Sequence, residues 1–255
     1  MNWKHQAFMI ALLAMSLCSS RAVAQSTQPT AAATTSPTAV IDTSLPRPEV
    51  PLPPGLTPLF NGKSLDGWIQ EPADSWVVQD GIIASRGIAR GVLYTVNQYG
   101  NYRIIFDIRH ASGKPDHQAC VLFFGFAPAA AEKPLDALGA VQIQVPVGYT
   151  WDYRKGHNNA GKGEFTSLPH PKYDVKLWSR VEMLINATKG TARMAVAQPV
   201  GSAAVEVVDF KVADAGRTGP FGLQMHNKGL FDQYTNIAIE VNPAKDDLIT
   251  LAPHQ

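Results

Sequence analysis

Most of the chain after residue 55 alternates between apolar and polar positions with a period of two. In the run from Asn101 to His110, the residues Tyr102, Ile104, Phe106 and Ile108 occupy every second position. Such alternation predicts a β-strand with one face in the core, because successive side chains of a strand point to opposite sides. Similar runs predict strands at 76–78, 82–83, 91–95, 119–124, 140–145, 180–186, 192–198, 204–210, 221–226 and 234–241.

Turn signals separate these runs, and no segment keeps a helical period over three turns. Two clear examples are Gln79-Asp80-Gly81 and Thr188-Lys189-Gly190. About ten short strands in one domain predict an all-β fold, a two-sheet antiparallel sandwich of the jelly-roll type. The one long irregular segment, 146–176, is a predicted functional loop, since a loop of this length inside a compact domain needs a reason.

The first 24 residues have the pattern of a cleavable signal peptide. Lys4 precedes the apolar run 7–15, and Ala22-Val23-Ala24 provides a small-x-small cleavage site. The apolar run is short for a membrane span, so a retained anchor is the less favoured alternative. A lipoprotein attached at Cys18 is disfavoured by the bulky Leu17 before it. The pattern predicts a bacterial protein exported to the periplasm or beyond, with no membrane span in its mature form.

Composition divides the remainder of the chain. Residues 25–54 are rich in Thr, Ala, Ser and Pro and predict a disordered linker, residues 55–243 the folded domain, and 244–255 a C-terminal tail. The formal net charge of +1 argues against a nucleic-acid partner. Once the signal peptide is removed, Cys120 is the only cysteine, which excludes an intrachain disulfide.

The polar positions of three predicted strands suggest a binding site. Asp107 and Arg109 share one strand face, Gln142 and Gln144 share another, and Gln224 and His226 share a third. A sheet that brought these faces together would line a cleft of the size of a sugar. The alternative is an ordinary solvated outer face.

The predicted loop 146–176 adds further candidates. Trp151 and Tyr153 either stack on a sugar ring or anchor the loop. Asp152, His157, Glu164 and His170 lie in the same segment, and their polarity either reflects an ordinary loop or forms a metal site. No tight ligand spacing identifies a metal site, so no cofactor is assigned and a divalent metal is left open.

Several motifs resemble one family. They are the opening run Leu59-Phe60-Asn61-Gly62-Lys63-Ser64-Leu65-Asp66-Gly67-Trp68, then Trp76-Val77-Val78-Gln79-Asp80-Gly81, Asp107-Ile108-Arg109, and the closing run Gly219-Pro220-Phe221-Gly222-Leu223-Gln224-Met225-His226 with Tyr234-Thr235-Asn236-Ile237. Together they resemble the 3-keto-disaccharide hydrolase domain family over residues 59–241. The resemblance implies a sandwich of the concanavalin A-like lectin/glucanase type.

The resemblance also implies a chemistry. His226 is the expected base, Arg109 the partner of the developing oxyanion, and Asp107 the residue that orients either one. The chain departs from the family pattern at Gln142, where an acidic residue is usual, and near Gly125, where an arginine is missing. The leading hypothesis is an exported hydrolase of 3-keto-glycosides. The alternatives are a non-catalytic carbohydrate-binding module of the same fold and a structural adhesion domain.

Overall fold

A computed structural model of the chain describes residues 41–113, 119–126, 137–154, 157, 159–160 and 167–251. Fifteen strands lie within these residues. They are β1 (Thr57–Pro58), β2 (Trp68–Glu71), β3 (Trp76–Gln79), β4 (Ile82–Ser85), β5 (Gly91–Thr95), β6 (Asn101–Ser112), β7 (Cys120–Phe123), β8 (Val141–Gln144), β9 (Thr150–Asp152), β10 (Asn159–Ala160), β11 (Ser179–Asn186), β12 (Thr191–Ala197), β13 (Val205–Lys211), β14 (Gly222–Met225) and β15 (Phe231–Val241).

The strands form two antiparallel sheets. The eight-stranded sheet has the order β13-β12-β11-β6-β15-β4-β3, with β1 added beside β15, and the seven-stranded sheet has the order β10-β9-β8-β7-β14-β5-β2. Every second residue of the long strands points into the space between the sheets, so the sheets share one core. The all-β sandwich predicted from the alternation is confirmed.

The core consists of the apolar positions of both inner faces. Phe106 of β6 lies against Phe221, which precedes β14, with ring centroids 6.1 Å apart. Phe123 of β7 meets Phe210 of β13 edge to face at 5.9 Å. Burial of each such ring contributes about 1.5–3 kcal/mol to the free energy of unfolding. Because these contacts join one sheet to the other, they fix which face of each strand points outward.

Two strands lie in the segment 146–176 that sequence patterns left irregular. They are β9 and β10, and β9 pairs with β8 in a hairpin while β10 pairs with β9. Strands of three and two residues are too short to show a period, which explains why the sequence did not reveal them. The segment is therefore partly sheet, and it extends the seven-stranded sheet.

Residues 41–54 correct the predicted extent of the linker. They pack on the outer face of the eight-stranded sheet and are called here the N-terminal strap. Ile41 is buried in the same apolar cluster as Trp178, and the carbonyl oxygens of Val50 and Pro51 accept hydrogen bonds from Arg180 at 2.8 and 2.7 Å. A segment poor in apolar residues is held here because its backbone carbonyls satisfy buried arginines. Residues 1–40, with the predicted signal peptide and most of the linker, lie outside the described residues.

The C-terminal segment binds the same face. Residues 244–251, called the C-terminal strap, place Leu248 in a small apolar cluster. The backbone amides of Ile249 and Thr250 donate to the buried carboxylate of Glu182 at 3.0 and 2.9 Å. Arg103 forms an ion pair with the same carboxylate at 2.8 Å. The predicted C-terminal tail is thus bound to the sheet as far as Leu251.

Cys120 lies buried in β7 with its sulfur in the thiol form. In the part of the chain that the structure describes, no helix has the length and apolarity needed to cross a membrane.

Candidate functional site

The outer face of the seven-stranded sheet carries the amide side chains predicted as ligand contacts. Gln224 of β14 is paired in register with Cys120 of β7, and Cys120 with Gln144 of β8. Since neighbouring strands are about 4.8 Å apart, Gln224 and Gln144 lie about 10 Å from each other in the same row. Two of the three predicted polar strand faces therefore belong to one surface.

Gln142 lies in the next row of this surface. It is 6% exposed, and its side-chain Oε1 accepts no hydrogen bond from the residues that the structure describes. A buried amide oxygen without a donor costs about 1–3 kcal/mol. The position thus favours a ligand that brings a hydroxyl or amide hydrogen to Gln142.

An aromatic group stands directly across from this amide. Trp151 of β9 is the register partner of Gln142, and its ring lies 5.9 Å from that of Tyr153, with an angle of 31° between the planes. An indole beside an amide offers a face for stacking and a group for hydrogen bonding, the two contacts by which proteins hold sugar rings. The structure therefore brings Gln142, Gln144, Gln224, Trp151 and Tyr153 to one sheet face.

His226 follows the last residue of β14. It is half-buried, and by alternation it lies on the same side of the strand as Gln224, which is fully buried. The predicted base is thus on the amide-bearing face, one row beyond Gln224.

An ion pair stabilises the opposite side of β9. Asp152 points away from Trp151, and both of its carboxylate oxygens accept hydrogen bonds from Arg154, at 3.0 and 2.7 Å. Arg154 also contacts Asp214 at 3.3 Å. Burial lowers the pKa of Arg154, but hydrogen bonds and charge from Asp152 and Asp214 outweigh that effect and raise it overall. Asp152 therefore holds the strand in place.

Two of the candidate metal ligands in the segment 146–176 have other partners. Asp152 is engaged by Arg154, and His170 stacks on Tyr173 with centroids 5.2 Å apart. Among the described residues, no three His, Cys, Asp or Glu side chains are arranged to hold a metal ion. Glu164 lies outside the described residues.

Asp107 and Arg109 do not join this surface, which corrects the expected common cleft. Both lie on β6, in the centre of the eight-stranded sheet, and face away from the core. Asp107 is fully buried and accepts two hydrogen bonds from Arg180, at 2.8 and 2.9 Å, and one from Asn236 at 2.7 Å. Its hydrogen-bonding capacity is used within the fold.

Arg109 is held in a similar way beneath the N-terminal strap. Its Nε donates to Gln233 at 2.8 Å, its Nη2 bonds to Asp42, and its guanidinium lies 5.5 Å from the ring centre of Trp178. Burial lowers the pKa of Arg109, and the charge of Asp42 opposes that shift. Hydrogen bonds from Ser44, aided by Arg109, lower the pKa of the Asp42 carboxyl. The match of Arg109 to a family motif thus falls on a residue that fastens the strap.

One exposed aromatic residue next to β9, Tyr149, was not predicted from the sequence. Tyr149 is 51% exposed and precedes β9 by one residue. The signal was present in the alternation Tyr149-Thr150-Trp151-Asp152-Tyr153, which places three aromatic rings on one side of an extended chain.

The fold and this surface define a concanavalin-like β-sandwich. It resembles the carbohydrate binding module CBM66 from Bacillus subtilis, with a TM-score of 0.50 and 12% identity over 68% of this chain and 95% of that one. It also resembles the Ca²⁺/Man3GlcNAc-bound VIP36 exoplasmic/lumenal domain, with a TM-score of 0.50 and 7% identity over 74% of this chain and 89% of that one. At these identities the likeness establishes the fold alone.

The family is established by the sequence. Residues 55–240 match the 3-keto-alpha-glucoside-1,2-lyase-like domain, and the chain belongs to that family. A putative glycosyl hydrolase from Parabacteroides distasonis ATCC 8503 is also similar, with 17% identity over 72% of this chain and 98% of that one and a TM-score of 0.49. Among curated proteins none matches this chain.

Proposed function

We propose that the protein binds a carbohydrate on the outer face of its seven-stranded sheet and cleaves the glycosidic bond of a 3-keto-glycoside there. The observation that carries the proposal is the buried Oε1 of Gln142 opposite Trp151, on the same face as His226. Membership of the 3-keto-alpha-glucoside-1,2-lyase-like family supports it, since that name describes elimination across C1 and C2 of a 3-keto sugar.

The chemistry follows from the ketone. A carbonyl at C3 acidifies the proton on C2, so that a base of ordinary strength can remove it. The electron pair then forms the C1–C2 double bond, the C1–O bond breaks, and the departing oxygen takes a proton. Water adds across the double bond to complete a net hydrolysis. This route requires one base near C2 and a hydrogen-bond donor near the C3 oxygen.

The residues of the amide-bearing face can supply these roles. His226 is the proposed base. The side-chain amide of Gln144, which is half-buried on this face, is the proposed donor to a sugar oxygen, while the fully buried Gln224 lies beneath the surface beside it. Arg109, the donor expected from the family resemblance, is replaced in this proposal because it is buried under the N-terminal strap.

The test is incubation of the purified domain with a 3-keto-disaccharide, with release of the free 3-keto sugar as the measurement. His226→Ala should lower turnover by about a hundredfold or more, with little change in Tm. His170→Ala is the matched control, because it also removes a histidine, but one that lies away from β14 and forms a hydrogen bond with the carbonyl oxygen of Pro171. Full activity in His226→Ala, or a large loss of stability, would assign His226 a structural role.

A non-catalytic carbohydrate-binding protein is the second candidate. It is favoured by Gln142, an amide at the position where the family pattern has an acid, and by the structural use of Asp107 and Arg109. An amide can position a sugar hydroxyl but cannot accept a proton from carbon. Binding of the 3-keto-disaccharide without release of product would support this alternative.

We also propose that the protein acts outside the cytoplasm. The support is the leader-like pattern of residues 1–24.

A further inference from the structure

The hairpin of β8 and β9 repeats the arrangement found at Gln142 and Trp151. The backbone amide of Gln144 donates to the carbonyl oxygen of Tyr149 at 2.7 Å, which continues the register in which Gln142 faces Trp151. Gln144 and Tyr149 are therefore the next cross-strand pair on this face, beyond the pair of Ile143 and Thr150. Each of the two pairs combines an amide with an aromatic ring, on the same side of the sheet.

The aromatic residues of this hairpin form a line. Thr150 and Asp152 are 2% and 1% exposed, whereas Tyr149, Trp151 and Tyr153 alternate with them on the other side. A strand is extended, so side chains two residues apart follow one another along its direction, and the ring centroids of Trp151 and Tyr153 are 5.9 Å apart. The three rings constitute what we call the aromatic row.

The aromatic row lies on the outer face of the seven-stranded sheet. Tyr149 is 51% exposed, and Trp151 and Tyr153 are half-buried, so the rings do not belong to the core between the sheets. Aromatic side chains gathered on an outer face, outside the core, favour the binding of another molecule there. A flat ring beside an amide matches a sugar, which has an apolar face and a rim of hydroxyls.

The row is also held rigidly from behind. Asp152 is fixed to Arg154 by a pair of hydrogen bonds at 3.0 and 2.7 Å. At the turn, Gly148 has a φ of 77°, and a Cβ there would lie 3.0 Å from Val208 of the other sheet. A binding surface whose supports are fixed loses little entropy when it takes up a ligand.

We infer that the β8–β9 hairpin carries at least two consecutive sugar subsites, Gln142 with Trp151 and Gln144 with Tyr149. The ligand they take is an extended oligosaccharide that lies along β9. A straight row fits a chain whose rings follow one another in a line, such as a β-1,4-linked glucan, rather than a coiled α-1,4-linked glucan. The inference rests on the proposed carbohydrate site and specifies the length and shape of its ligand.

The experiment measures affinity against ligand length by calorimetry. The probes are glucose and the cello-oligosaccharides of two, three and four rings, with the corresponding malto-oligosaccharides as the second series. Affinity for the cello series should rise by about threefold to tenfold for each further ring that stacks on an aromatic side chain. The rise should end once the row is filled, and the malto series should show a smaller rise.

Tyr149→Ala should remove one of these steps and leave the affinity for the shortest bound probe unchanged. Phe231→Ala is the matched control, because Phe231 is also an exposed aromatic residue, at 37%, but begins β15 in the other sheet. The control should retain the full dependence on length.

Affinity that does not depend on length would overturn the inference, while binding of any probe would leave the carbohydrate site itself in place. A dependence on length that survives Tyr149→Ala, or is stronger for the malto series, would also overturn it. If neither series binds, the aromatic row is not a glucan site. The proposed cleavage is then judged separately, by product release from the 3-keto-disaccharide.

Discussion

Replacement of Asp107 by Asn tests whether this residue supports the fold or the chemistry. The carboxylate is fully buried and is the partner of Arg180, which also binds the strap carbonyls of Val50 and Pro51. An amide in its place leaves the Arg180 charge without a counter-charge and turns an amide hydrogen toward one of two donors, Arg180 or Asn236. Breaking a buried ion pair by removing one partner costs about 3–5 kcal/mol.

The cost appears in the melting temperature. For a domain of this size, 1 kcal/mol shifts Tm by about 2–4 °C, so Asp107→Asn should lower Tm by about 6–20 °C. Thermal unfolding followed by circular dichroism measures this shift, and product release is then assayed well below the lowered Tm. Asp209→Asn is the control, since Asp209 is an exposed carboxylate on β13 of the same sheet.

The folded Asp107→Asn variant should bind and turn over sugar as the parent does, because Asp107 lies on the opposite sheet from Trp151. An unchanged Tm combined with a large loss of turnover would refute this reasoning. It would return Asp107 to the catalytic role that the sequence suggested.

Two further predictions concern the ligand face and the core. Trp151→Ala should weaken sugar binding by about 1 kcal/mol without unfolding the domain, and equal affinities in calorimetry would remove Trp151 from the site. Burial raises the pKa of Asp232, and the hydrogen bond between its carboxyl group and His110, at 2.7 Å, opposes only part of that rise. The folded state therefore keeps this proton to a higher pH than the unfolded state does, and the stability of the parent relative to Asp232→Asn should fall as the pH rises above about 4. Chemical denaturation at a series of pH values measures this difference, and parallel profiles for the two proteins would contradict it.

The fold could be predicted from the sequence because its long strands have a buried face. Tyr102, Ile104, Phe106 and Ile108 reveal β6 by period alone, and the same logic finds β11, β12 and β15. Very short strands such as β9 carry no such period and owe their conformation to the neighbour they pair with. The two straps were missed because their binding depends on backbone carbonyls and amides, which every sequence possesses.

The site could be predicted only in part, for a related reason. Alternation shows that Asp107 and Arg109 share a face, and that Gln224 and His226 share a face, but it does not show which strands are neighbours. In an antiparallel sandwich the chain passes from one sheet to the other. Strands with the same alternation of apolar and polar residues can therefore present their polar residues on opposite outer surfaces. The amide-bearing strands β14 and β8 flank β7 in one sheet, whereas β6 lies in the other.

The two straps determine how the domain can be joined to anything else. Ile41 and Leu251, the first and last described residues, both lie against the eight-stranded sheet, where Ile41 packs on Trp178 and Leu251 pairs with Ala204. The straps therefore place residues 41 and 251 on the sheet opposite the one that carries the aromatic row. In a chain trimmed to residues 41–251, a fusion partner or an immobilising tag joined at either end would be attached at the eight-stranded sheet and not at the seven-stranded face, which makes this fragment suited to display on a bead or a sensor chip.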